Sequence, residues 1–249
     1  MQTTKARAAS VLLFVAIVGA TAAEAQLGVP WRHRPAITVI SVEADPRLSL
    51  VDEAVAFWNK TFEEIGSEFR LGPVDRRVQS VPEEALQSLS RSVLRSPRGP
   101  VDIPEVLRDL PGDITILLGD SDFVSFASPF TAARKRVVGI RGLHLPVMNL
   151  PNVARNVIAH ELGHAIGLRH NSDPTTLMCG RPAACRPDVF RSDEPRFFPL
   201  TDDDKRQLLS MYPLSSGTKP RPSRATRNGG IPAMSWRSCA SAAASSAAR

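Results

Sequence analysis

The 249-residue chain has no Gly-rich phosphate loop and no serine-nucleophile elbow, which removes the sequence case for nucleotide chemistry and for a serine hydrolase. No internal repeat is visible. The N-terminal apolar run, Val11 to Ala20, is only ten residues, about 15 Å of helix against a hydrocarbon core of about 30 Å. No cysteine follows that run to take a lipid. An excess of positive charge is also missing where it would matter. The net charge of +6 resides in residues 215–249, which carry six Lys and Arg and no acid. Residues 26–214 hold 23 basic and 24 acidic residues, so the folded part has no electrostatic case for binding nucleic acid. A composition of 43% hydrophobic and 22% charged residues is that of a globular protein, not of a disordered chain or a membrane bundle.

The first 25 residues read as a signal peptide. Lys5 and Arg7 precede the apolar run, and Ala23-Glu24-Ala25 offers small residues where a signal peptidase cuts. Cleavage after Ala25 is expected to give a periplasmic or extracellular protein, a monomer without stable membrane insertion; an uncleaved anchor is the competing reading. Cys179 and Cys185 are six apart and could close a loop worth about 2 kcal/mol in an oxidising compartment. Two free thiols, or Cys179 as a metal ligand, are the alternatives. Cys239 has no obvious partner.

The pattern from Ala36 is that of a compact α/β domain. Ala36 to Val42 reads as a strand, and Ser49 to Ile65 as an amphipathic helix stopped by Gly66. One or two short strands are expected within Phe69 to Val81, a Ser-rich helix over Pro82 to Leu94, and a Pro-broken loop after it. Asp113 to Leu118 and Arg136 to Leu145 read as strands, the latter at a sheet edge. Asn152 to Leu168 reads as a second long helix, and Thr201 caps a last one ending at Met211. Residues 215–249, rich in Ser, Ala and Arg, read as a disordered basic tail.

Chemistry concentrates in residues 160–170, His-Glu-x-x-His-x-x-Gly-x-x-His. His160 and His164 are four apart and project side by side from a helix, a spacing that chelates one zinc ion. Glu161 stands next to the first ligand, within reach of a metal-bound water. Gly167 lets the chain turn back so that His170 reaches the same ion. Three neutral nitrogens leave a fourth position open, as in catalytic zinc sites. With five histidines in the chain, a chance match is on the order of 10⁻⁵, so the bland reading of surface histidines is set aside.

This stretch resembles the zinc-binding segment of the metzincin metallopeptidases, and within them it is most similar to the matrixins. Ser172 to Met178 resembles the approach to the family's Met-turn, in which Met178 would form a hydrophobic floor beneath the zinc. Leu200 to Tyr212 resembles the closing helix of matrixin catalytic domains. The resemblance implies an α/β (α+β) zincin fold over residues 30–214: a twisted mixed sheet with an antiparallel edge strand, an active-site helix, a Met-turn and a C-terminal helix. It implies a secreted zinc-dependent endopeptidase in which Glu161 assists a zinc-bound water and a protein or peptide is the substrate. A catalytically idle zinc-binding module, or a zinc amidase acting on cell-wall peptides, are the alternatives.

Departures from the family qualify the match. Asn171 stands where matrixins place Ser, no cysteine precedes Met178 to act as a latency switch, and Gly180 replaces the tyrosine of astacin-like enzymes. His33 and His144 are too few for a second, structural zinc. A peptide substrate is expected to pair with the strand at about Val137 to Leu143. The loop Cys179 to Leu200, with Phe190, Phe197 and Phe198, would wall the S1′ pocket, its aromatics more a packing than a substrate surface. Asp120 and Asp122 are possible Ca2+ ligands with little support, and His144 is a candidate for the cleft.

Overall fold

The computed structural model describes residues 29–95, 101–180, 186 and 192–214. The signal-peptide and basic-tail expectations, and those for Cys185, Phe190 and Cys239, lie outside the described residues. Five strands form one sheet: β1 (Ile37–Ser41), β2 (Val74–Val78), β3 (Ile114–Leu118), β4 (Phe126–Ala127) and β5 (Arg136–Ile140). Their order is β2-β1-β3-β5-β4. The first four in that order run parallel, and β4 pairs antiparallel with β5, Phe126 opposite Gly139 and Ala127 opposite Val138. The helices are α1 (Arg47–Glu64), α2 (Glu83–Arg95), α3 (Glu105–Arg108), α4 (Pro151–Ala165) and α5 (Asp202–Met211). This is the expected mixed sheet with an antiparallel edge strand, a long helix bearing the histidines, and a closing helix.

The central strands read as unbroken apolar runs because both faces of the sheet are covered. Ile114, Ile116 and Leu118 of β3 join one core with Trp58 and Phe62 of α1 and Ile158 and Leu162 of α4. Leu117, one residue out of phase, joins the opposite core with Leu86 and Leu89 of α2, Leu107 of α3 and Phe126 of β4. The period of two along a strand thus divides the domain into an α1/α4 side and an α2/α3 side.

Two sequence expectations need correction. The strand expected at the edge, Arg136 to Leu145, is interior: every residue of β5 is buried, with β3 on one side and β4 on the other. Its alternation misled because Arg136, a polar residue in an apolar pattern, is fully buried; its Nη1 donates to the Ser128 carbonyl (2.9 Å) and its guanidinium lies 4.0 Å from the Phe130 ring. The edge is β4, too short for its pattern to register. The Pro-rich stretch after α2 also holds the short helix α3.

Helix α1 begins two residues before the expected Ser49. Arg47 and Asp45 form a buried ion pair (2.6 Å), and Arg47 Nη1 donates to the Gly119 and Arg141 carbonyls at the ends of β3 and β5, 2.8 Å each. A charge inside the domain is thereby paired and hydrogen-bonded.

Candidate metal centre

Helix α4 packs on α1, and its C-terminal half carries the histidines. Gly163 permits the close approach: a Cβ there would lie 2.8 Å from Trp58 and 2.6 Å from the Met178 sulfur. Trp58 Nε1 donates to the Ala159 carbonyl (2.9 Å) and fixes the crossing. The helix ends in a Schellman motif, Leu168 N–H to the Gly163 carbonyl and Gly167 N–H to the His164 carbonyl, both 2.9 Å, with Gly167 at φ 107°. Carbonyls left over at this end are taken by distant aromatics. Trp31 Nε1 donates to Ala165 and the Tyr212 hydroxyl to Ile166, 2.9 Å each. Residues near both ends of the domain therefore hold the turn that returns His170.

The three imidazoles converge. His160, His164 and His170 Nε2 atoms are 2.9 to 3.1 Å apart in all three pairs. The other ring nitrogens settle the tautomers of two of them. His160 Nδ1 meets the Leu177 carbonyl and His164 Nδ1 the Leu168 carbonyl, 2.8 Å each, and a carbonyl only accepts. Both Nδ1 atoms are therefore protonated, and in the neutral rings both Nε2 lone pairs point at the shared centre. Burial pushes the His160 imidazole down to about 4 and His164 well below its ordinary range, and lowers His170 as well, so the rings are neutral at pH 7. Two or three converging lone pairs repel one another unless a cation sits among them. Neutral imidazole nitrogens are borderline-soft donors that suit zinc, and the hydrogen-bonded Nδ1 atoms are the outer-shell support usual in such sites. The residues fit the ion. They are the only such cluster of three or more His, Cys, Asp or Glu among the described residues.

Glu161 is buried, 7% exposed, beside this cluster. Burial lifts its carboxyl to about 8, opposed by a hydrogen bond from the backbone of Ala127 on β4. The carboxylate thus sits between the histidines and the sheet edge. A cavity of about 630 Å³ opens along the same side, walled by Val153, Asn156 and Val157 of α4, by Leu177 and by Cys179. Met178 is fully buried beneath α4, against Gly163.

Asn171, a departure from the family pattern, ties His170 to the rest. Its N–H donates to the Met178 carbonyl (2.8 Å), and its carbonyl accepts from Gly180 (3.2 Å). Its side-chain oxygen accepts from Asp173 N–H and Thr176 Oγ1, and its Nδ2 donates to Asp204. Asp204 closes a capping box with Thr201 at the start of α5, the helix start expected there. Gly180 lets His170 lie flat on the turn, since a Cβ there would be 2.9 Å from the His170 ring.

Sequence reasoning missed the polar residues at the other end of α4. Asn152 and Asn156 are fully buried. Asn156 Nδ2 donates to the Asn152 and Arg196 carbonyls (2.8 and 2.9 Å), and its Oδ1 accepts from Phe198 N–H (2.8 Å). Asn152 Oδ1 accepts from Arg196 N–H (3.2 Å). An i, i+4 pair on a helix was the available signal, but its partners lie forty residues away. The pair staples residues 196–198 to α4. The aromatics there pack inward as expected, Phe197 on Phe57 (4.6 Å) and Phe198 under the Arg186 guanidinium (5.0 Å).

Other expectations resolve differently. Cys179 is a buried free thiol on the cavity wall, outside the histidine cluster, and its suggested partner Cys185 lies outside the described residues. Asp120 bonds His144 (2.9 Å) and Asp122 bonds Arg141 (2.7 Å), so both carboxylates have cationic or donor partners, and among the described residues they belong to no cluster of metal-ligating groups. His144 is exposed against Asp120 and does not line the cavity, and His33 pairs with Asp113 (3.2 Å).

Residues 144–213 match the family model described as Matrixin. Over this segment the domain is matrixin-like. Human matrix metalloproteinase-27 is 41% identical over 56 residues, 22% of this chain and 9% of that protein. The matrixin-like chain thus aligns with a small part of that relative's length. It also has a likeness to the crystal structure of archaemetzincin from Methanopyrus kandleri, at 22% identity and a TM-score of 0.44, over 71% of this chain and 93% of that one. No helix among the described residues is long and apolar enough to cross a membrane.

Proposed function

We propose that residues 30–214 are the catalytic domain of a secreted zinc endopeptidase, periplasmic or extracellular, preceded by a cleaved export segment at 1–25 and followed by a basic tail. His160, His164 and His170 hold the ion through Nε2, Met178 floors the site, and Glu161 is the general base. The observation that carries this reading is the convergence of three Nε2 atoms within 3.1 Å, with a buried carboxylate beside them at the wall of an open cavity. Zinc bound there supplies Lewis acidity, lowering the pKa of water and polarising the scissile carbonyl.

The chain's own residues do the rest. An extended substrate pairs with the free edge of β4, in place of the expected Val137 to Leu143, because β5 has no free edge. That places the scissile amide near Ala127, whose backbone bonds Glu161. Glu161 takes a proton from the attacking water at a carboxylate oxygen as the water's oxygen bonds the carbonyl carbon. The same carboxyl then delivers that proton to the amide nitrogen as the carbon–nitrogen bond breaks, which returns Glu161 to its starting state.

The test compares the zinc-loaded chain with its Glu161→Gln form on an unfolded protein substrate. Cleavage by the first alone, abolished by chelation, supports the reading. Zinc binding by both with no cleavage by either would replace it with an idle zinc module, and cleavage confined to cell-wall peptides would replace it with an amidase.

A further inference from the structure

The cavity beside Glu161 and the histidines has a second end, remote from the segment matched by the Matrixin family. Leu94, in the last turn of α2, and Val124, in the loop before β4, both line it. They are 54% and 51% exposed, two of the five large exposed hydrophobics among the described residues, and they share one rim. The rim is held from below. Ser90 Oγ of α2 donates to the Val124 carbonyl (2.8 Å), and the Glu83 carboxylate accepts from the N–H groups of Asp120 and Ser121 (2.7 and 3.2 Å). Leu86, Leu89 and Phe123 form the core beneath it. Two exposed apolar side chains on a braced loop and helix end are a preformed surface, not a frayed one.

Sheet geometry says what meets it. Successive residues of a strand point to opposite faces. In β4, Phe126 joins the core on the α2 side, while Ala127 packs on the α1/α4 side. A peptide added to the free edge of β4 inherits that alternation. One of its side chains enters the inner pocket of Val153, Val157 and Leu177 on the α4 side, and its neighbour points to the α2 side, where Leu94 and Val124 stand.

We propose that Leu94 and Val124 form a second apolar recognition subsite, which takes a large apolar side chain adjacent in the substrate to the one held in the inner pocket. This rests on the reading of the cavity as a peptide-binding cleft, and it assigns α2 a part in specificity.

The test measures binding as well as cleavage. Zinc-loaded Glu161→Gln full-length chain is titrated with fluorescent peptides that share an inner-pocket residue and carry Leu or Ser at the flanking positions in turn. The titration is repeated with Leu94→Ser and Val124→Ser added, and cleavage of the same peptides is followed in the Glu161 forms. At one flanking position Leu is expected to bind about tenfold tighter than Ser, roughly the effect of burying one apolar side chain. The serine variants should lose that ratio and keep the inner-pocket preference. An unchanged ratio in the variants, or no Leu preference at any flanking position, would overturn the subsite. Binding that shows the ratio without any cleavage by the Glu161 forms would leave the subsite standing and remove the hydrolytic reading instead.

Discussion

The two ends of α4 use the same device, buried polar side chains i and i+4 apart, for opposite ends. At the C-terminal end His160 and His164 turn their Nε2 atoms toward one point, with Nδ1 of each tied to a carbonyl only four to seventeen residues away. At the N-terminal end Asn152 and Asn156 bond each other and the backbone of Arg196 and Phe198. The first pair leaves its useful atoms open and so can bind something. The second spends its amide donors and acceptors on the protein and so can only hold something still. Whether a buried polar pair is chemical or structural is thus decided by which atoms remain without a covalent or hydrogen-bonded partner.

The sharpest way to break this comparison is to delete a ligand. His164→Ala should abolish zinc binding at equimolar metal, and cleavage with it, as read by metal content after gel filtration and by turnover of an unfolded substrate. Glu161→Gln should retain one zinc per chain yet lose about 10²- to 10⁴-fold in kcat, the usual contribution of a general acid–base group. If the Gln form loses its zinc as well, the carboxylate belongs to the ligand set and the separation of roles fails.

Asn156→Ala addresses the other end. It leaves the Phe198 N–H and the Arg196 carbonyl without their buried partner, at a cost of about 2–4 kcal/mol in the unfolding free energy. Because Asn156 itself lines the cavity, KM should rise several-fold while zinc content stays at one and kcat changes little. A fall in zinc affinity as large as the fall in stability would show that the two ends of α4 are one unit.

How much of this was legible beforehand follows from the range of the interactions. The ligand segment and the Schellman turn are local: spacing on a helix and a glycine at positive φ write them directly into residues 160–170. The closing helix was equally plain, because Thr201 and Asp204 satisfy each other within one turn. The order of strands was not, since β4 has only two residues and β5 buries an arginine. Nor were the Asn152–Asn156 staple, the Asn171 bracket to Asp204 and the Trp31 and Tyr212 contacts to the end of α4. Their partners lie from 33 to 134 residues away, and no local pattern marks a side chain for a distant backbone atom.

The smallest effect comes from pH, and it separates Glu161 from the histidines in the metal-free protein. The Glu161 carboxyl is raised from 4.5 to about 8 by folding, so the stability it contributes is complete below pH 4.5 and is lost as pH rises through 8. The His160 imidazole is lowered from 6.5 to about 4, so its contribution is complete above 6.5 and is lost as pH falls through 4. Of these two groups, only the carboxyl titrates differently in the two states between pH 6.5 and 8. The unfolded chain has already released that proton, and the folded chain must be forced to. Stability of the zinc-free wild type should therefore decline over that window, by at most about 1.4 kcal/mol per pH unit for one proton. Urea midpoints of zinc-free Glu161→Gln should be flat there and should fall more steeply than the wild type between pH 6.5 and 4.5, because the wild-type carboxyl still gains stability as pH falls to 4.5 and offsets part of the histidine loss. Zinc should also flatten the wild-type slope, because a dication beside the carboxylate favours its charged form in the folded state. A wild-type slope that survives the Gln substitution would place the titrating proton elsewhere, and the buried carboxylate would no longer be distinguished from the rings it adjoins.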